Sequence, residues 1–117
     1  MNRLTHLLRS QTAYHLHSPY IYRLYTQVLI HHRRDYDALV QSLARWSSSH
    51  RTDLSPATAR LQGPDGEILV LRRPHADKAA EQHLHQLQQQ YPVSIDLYRV
   101  ALLIRNPKLH PQQFILR

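Results

Sequence analysis

No cysteine occurs among the 117 residues, which excludes a disulfide framework, a thiolate zinc site and a cysteine nucleophile. Glycine is nearly as scarce. Gly63 and Gly66 are the only two, and neither a Walker loop nor a G-x-G-x-x-G turn can be written with them, since both need glycines where backbone amides approach phosphate. Long apolar runs are also missing: nothing nears the roughly 18–20 residues that span a bilayer. The stretch from Met1 to Arg9 is too broken by polar residues to be a signal h-region. The expectation is a soluble, cytoplasmic protein with no metal site, no cofactor site and no membrane contact.

Acidic residues are few, eight Asp+Glu against fifteen Lys+Arg, so the formal charge is +7. It is unevenly placed. Residues 1–60 hold eight arginines and three acids, or +5, and residues 61–117 seven bases and five acids, or +2. Such a surplus permits a phosphate-rich partner without establishing one. The ten histidines add to it below about pH 6, as they titrate near 6.5. With 42% hydrophobic and 20% charged residues the chain is not compositionally disordered. Its length suits one core, and we expect a single domain over 1–117, made of a helical segment 1–46, a connector 47–65 and a strand-rich segment 66–117.

Leu4, Leu7 and Leu8 form a short apolar stripe. Ser18-Pro19 then marks a helix start, because serine caps well and a proline at the first position lacks only an amide that had no partner. Ile21, Leu24, Tyr25, Val28 and Leu29 follow at helical spacing, and the helix ends near His31-His32-Arg33-Arg34. A further helix starts around Asp35, with Tyr36, Leu39, Val40, Leu43 and Trp46 as its buried stripe. The connector has no sustained period, although Leu54 and Leu61 can anchor it.

After Gly66 the short apolar run Ile68-Leu69-Val70-Leu71 predicts a strand buried on both faces. Residues 76–90 predict a helix, with Ala76, Ala80, Leu84, Leu87 and Tyr91 on one face and Asp77 at its positive end. The stretch 93–105 is strand-like and turns back at Tyr98-Arg99, and 113–116 is a last short strand. Strand, helix, strand is a βαβ unit whose crossover should be right-handed.

Three segments carry a resemblance. His17-Ser18-Pro19-Tyr20-Ile21-Tyr22 is similar to the H-S-P-F-V-Y opening of a family of class I S-adenosylmethionine-dependent methyltransferases of Bacteroidetes-type bacteria. The run from Ile95-Asp96-Leu97-Tyr98 to Ile104-Arg105 resembles that family's closing I-D-L-F-x-x-G-L-V-F-F-R, and Gln113-Phe114-Ile115-Leu116-Arg117 its terminal Q-H-F-x-L-R. Ile68 to His75 falls where the family shows an apolar strand running into D-D-I-H, but Arg72 and Arg73 stand in place of the two acids.

The family's glycine-rich cofactor turn and ribose-holding acid have no counterpart here. The resemblance therefore implies an α/β fold with N-terminal helices packed on a small mixed sheet, like the C-terminal half of a Rossmann-like methyltransferase, its cofactor half deleted. It further implies that the strand at 100–105 inserts antiparallel between its two neighbours. Without a wall to position the methyl donor, no catalytic residue is expected in this chain alone.

His15 and His17 match no helical zinc spacing, and His17 and Ser18 are expected to organise the helix entrance. Arg33-Arg34 and Arg72-Arg73 are the candidate nucleic-acid residues, with Tyr22, Tyr25 and Tyr36 available to stack. Their bland reading is a solvated helix terminus and a strand end. Asp96 can turn inward and pair with Arg99 or Arg105. Deleting the sheet's first strands would leave the strand at 67–71 as an exposed edge, to be covered by a second copy in a homodimer, by another protein, or by the connector. Three functions follow: a degenerate methyltransferase-like interaction module, a basic nucleic-acid-binding module, or an enzyme complete only as an assembly.

Overall fold

The computed structural model describes residues 19–116, the side chains of 53 and 54 excepted. The expectations for Leu4, Leu7, Leu8, His15, His17 and Ser18 lie outside the described residues. Helix α1 covers 19–32 in three consecutive stretches, α-helical Pro19–Leu24, the wider π-helical Tyr25–Leu29 and α-helical Ile30–His32. Its five predicted apolar positions, from Ile21 to Leu29, are all buried. Within the π stretch the Thr26 hydroxyl donates to the Tyr22 carbonyl at 2.8 Å, a back-bond that bends helices.

Helix α2, Tyr36–Ser47, begins where Asp35 caps it by accepting the Ala38 amide at 3.2 Å. It ends on Ser48 in the left-handed region. Leu39, Val40 and Leu43 are buried, and the Trp46 indole donates to Gln27 of α1 at 2.8 Å, fastening the two helices together.

The connector expectation is corrected here. Residues 47–65 are not irregular: they hold strands β1 (His50–Ser55) and β2 (Thr58–Gly63), paired antiparallel with a bulge between Asp53 and Ser55. In β2 the fully buried Ala59 and Leu61 alternate with Arg60 and Gln62, a period-two pattern too short to stand out beside Pro56 and the serines. What recruits it is the open edge of β3, Gly66–Arg72. β2 pairs along that whole edge, from Thr58 opposite Leu71 to Gly63 opposite Gly66. The strand at 67–71 is thus no sheet edge. The connector covers it, one of the three expected alternatives, and a second copy of the chain finds no vacancy there.

Both glycines of the chain close the β2–β3 turn. Gly66 needs its freedom, since its φ is 144° and a Cβ would run into the carbonyl oxygen of Arg105. Helix α3, Lys78–Gln90, is capped by Asp77, which accepts the Ala80 amide at 2.8 Å. It starts later than expected, leaving Ala76 exposed ahead of it. Strands β4 (Val93–Asp96), β5 (Val100–Arg105) and β6 (Gln112–Ile115) complete a mixed sheet of order β1-β2-β3-β5-β4-β6. β5 lies between β3 and β4 and is antiparallel to both, while β4 and β6 are parallel.

Strand alternation sorts the core into two layers. Ile68 and Val70 join Val93, Ile95, Leu102 and Ile104 beneath α1 and α2, whereas Leu69 and Leu71 join Ala101 and Leu103 beneath Leu84 of α3. β3 is therefore buried on both faces, as its continuous apolar run predicts. The structure is α/β, with helices on both sides of a mixed sheet.

Candidate functional site

β3 and β4 run in the same direction, and at their C-terminal ends the chain makes two abrupt turns. After Arg72, the last residue of β3, Arg73 takes φ 51° and leads through Pro74 to His75; after β4, Tyr98 takes φ 70°. Non-glycine residues rarely adopt such angles, and they persist where surrounding contacts over-determine them. Those contacts are present here. The Arg73 amide donates to the Arg99 carbonyl at 2.9 Å, and the Tyr98 amide donates to Oδ1 of Asp96 at 2.9 Å.

Between the two turns sits His75, its side chain only 5% exposed. Nε2 lies 2.6 Å from Oδ2 of Asp96, Nδ1 lies 2.7 Å from Oε2 of Glu81, and the ring stacks on Tyr98 with centroids 5.5 Å apart. Both nitrogens face carboxylate oxygens, so either the imidazole carries a hydrogen on each or one carboxyl group holds the proton. The sequence expectation for Asp96 is corrected: it does turn inward, but its side-chain partner is His75 and not Arg99 or Arg105. Arg105 instead reaches Glu67 at 3.7 Å and the Gln90 carbonyl at 3.1 Å, lying over the Tyr91 ring.

Around this buried network opens a cleft of about 740 Å³, lined among others by Arg34, Tyr36, Arg72, Arg73, His75, Tyr98 and Arg99, with Asp35 and Asp37 on its α2 side. Three of the four sequence-nominated arginines thus meet in one place. Arg34 comes from the α1–α2 turn, and Arg72 and Arg73 from the end of β3. Arg33 does not line the cleft and remains at the end of α1. Arg99, not nominated from sequence, joins them from the β4–β5 turn. The Arg72 guanidinium lies 6.0 Å from the centroid of Tyr36, and none of the four guanidiniums forms an ion pair with another described residue.

Of the other nominated aromatics, Tyr25 is buried in the core and Tyr22 stands exposed on α1 away from the cleft. Among the described residues no set of three His, Asp or Glu side chains is arranged to hold a metal ion, and no helix is long and apolar enough to cross a membrane.

A larger cleft of about 910 Å³ lies at the opposite strand ends, beside Tyr20, Trp46, Ile68 and Phe114. Tyr20 and Trp46 meet edge to face at 5.4 Å. Burial and then the Asp65 charge push the Tyr20 hydroxyl pKa up, with Arg23 opposing. The left-handed residue at this end, Ser48, is accounted for by the end of α2. The arginine cleft combines converging charge, a buried ionisable network and two strained residues at the carboxyl ends of strands, where open α/β sheets place their ligands. No family model, curated protein or solved structure matches this chain.

Proposed function

We propose that the chain is a non-catalytic binding module that engages nucleic acid through phosphate groups held in the arginine cleft. One observation carries this reading: Arg34, Arg72, Arg73 and Arg99 come from three separate segments and line a single cleft. Arginine presents a planar fork of donors that matches phosphate. The formal charge of +7 favours a polyanion at long range.

Filter binding of single-stranded RNA at two salt concentrations tests it. Affinity should fall steeply with salt, and an Arg72→Ala/Arg73→Ala double variant should bind with a slope shallower by about 0.7 for each phosphate it no longer neutralises, its circular dichroism unchanged. Wild-type protein that fails to bind at low salt overturns the proposal.

A second reading concerns ancestry and is compatible with the first: a degenerate methyltransferase-like protein without a cofactor site of its own. What supports it is β5, set antiparallel between β3 and β4, where the resembled family's closing strand is expected. The residues present do not fit S-adenosylmethionine, because both glycines sit in the antiparallel β2–β3 turn and the β1–β2 hairpin stands beside β3 where donor-binding strands would be. Calorimetric titration with S-adenosylmethionine should give no heat; micromolar binding overturns this reading.

A further inference from the structure

We propose that the arginine cleft is a site for a phosphomonoester, the dianionic terminal phosphate of a nucleotide or of a nucleic-acid end, and not for phosphodiesters inside a strand. The inference rests on the reading of the cleft as phosphate-binding and narrows its ligand.

Charge balance points first. Four arginines and two aspartates, Asp35 and Asp37, line the cleft wall above the buried Asp96–His75–Glu81 network, and the wall itself holds two positive charges in surplus. A phosphomonoester carries about −1.5 to −2 at pH 7, whereas each backbone phosphodiester carries one charge. Asp35 is also held in place by its bond to the Ala38 amide, so the acidic side of the wall is fixed.

Placement points the same way. A strand of phosphodiesters needs a positive track along which successive phosphates can lie. Along the sheet away from the cleft, Arg60 and Arg105 share a single carboxylate, Glu67, at 2.8 and 3.7 Å, which leaves one positive charge between them. Arg72, Arg73 and Arg99, none of them ion-paired with a described residue, gather instead at one end of the sheet.

The cleft is also organised before any ligand arrives. The Arg73 amide is tied to the Arg99 carbonyl, Arg72 rests over Tyr36, and the Asp96–Tyr98 bond holds the turn that carries Arg99. A site fixed in this way loses less conformational freedom on binding. It also suits a compact, multiply charged group that several forks can grip from different sides.

The test measures binding of inorganic phosphate, a nucleoside 5′-monophosphate, and two oligonucleotides of one sequence, one 5′-phosphorylated and one with a 5′-hydroxyl. The phosphorylated oligonucleotide should bind at least about tenfold more tightly than its hydroxyl counterpart, as charge-assisted bidentate bonds are among the strongest available. Arg99→Ala should abolish that difference, and the monophosphate should compete. Binding of the monophosphate alone, with neither oligonucleotide binding, supports the monoester site and sinks the nucleic-acid reading. Equal, salt-sensitive binding of both oligonucleotides that requires Arg72 and Arg73 overturns the monoester site but leaves phosphodiester binding standing. Failure of every probe overturns both.

Discussion

The Asp96 carboxylate holds the His75 ring at 2.6 Å and, with its other oxygen, the Tyr98 amide at 2.9 Å. One buried carboxylate therefore fixes both the residue that follows the end of β3 and the turn that links β4 to β5. Glu81, at the start of α3, grips the other side of the same imidazole. The hydrogen-bonded network ties three elements together at the floor of the cleft.

Removing the histidine should expose how much that tie contributes. His75→Ala removes the imidazole that holds Oδ2 of Asp96, whose side chain is 6% exposed. Leaving a buried polar group without its hydrogen-bond partner costs about 1–3 kcal/mol, measurable as a lower urea midpoint with unchanged slope. Asp96→Asn keeps an acceptor for the Tyr98 amide and should lose less. A His75→Ala variant as stable as wild type would show that the network is not a stabilising one.

Asp35→Asn separates charge from capping. Asparagine caps as well as aspartate, so the melting temperature should stay within about a degree, since a few tenths of a kcal/mol shifts it little. Affinity for an anion in the cleft should rise about two- to fivefold as one carboxylate leaves the wall. Unchanged or weaker anion binding, read by titration with inorganic phosphate, would place the anion elsewhere.

Tyr91 predicts a loss of stability in alkali. Burial first, then its hydrogen bond to Glu67 and that residue's charge, raise the pKa of its hydroxyl, against opposing pulls from Arg105 and Arg60. A group whose folded pKa lies above its unfolded value contributes stability in full below the unfolded value, about 10 for tyrosine. That contribution fades as pH rises through the folded value. Stability followed by urea unfolding should fall above about pH 10, and Tyr91→Phe should flatten the fall. An identical slope in the variant would remove Tyr91 from the account.

Gly66→Ala addresses the β2–β3 turn. A side chain there meets the Arg105 carbonyl and must take φ 144°, so the cost should exceed the ~1–3 kcal/mol of backbone strain alone. Gly63→Ala should be milder, because its nearest obstacle is the Ser49 hydroxyl, the tip of a small side chain. Thermal unfolding of the two variants side by side checks the order.

Much of the fold was legible because its signals were local. Proline at the start of α1, Asp35 before α2, the double-faced apolar run of β3 and the reversal at Tyr98-Arg99 each announce themselves within a few residues. β1 and β2 did not, since their pairing comes from the β3 edge and not from a pattern of their own. The cleft was half legible. Adjacent arginines stand out in a sequence, but their meeting with Arg99 depends on a backbone bond between residues 26 positions apart. The bond between His75 and Asp96 spans 21 positions, beyond the reach of any spacing rule. Asp96 could be seen to turn inward; its partner could not.

The β1–β2 hairpin also has a temporal meaning. β1, β2 and β3 follow one another through tight turns, so this half of the sheet can form from neighbouring chain alone, a pairing of the kind that closes quickly. β3 then meets β5 only after α3 and β4 have been made, and until that moment its second edge has no partner strand. During synthesis from the N-terminus the hairpin seals one side of β3 early and leaves the other side open. The vulnerable interval in the life of this protein is the time it takes to make residues 73–105.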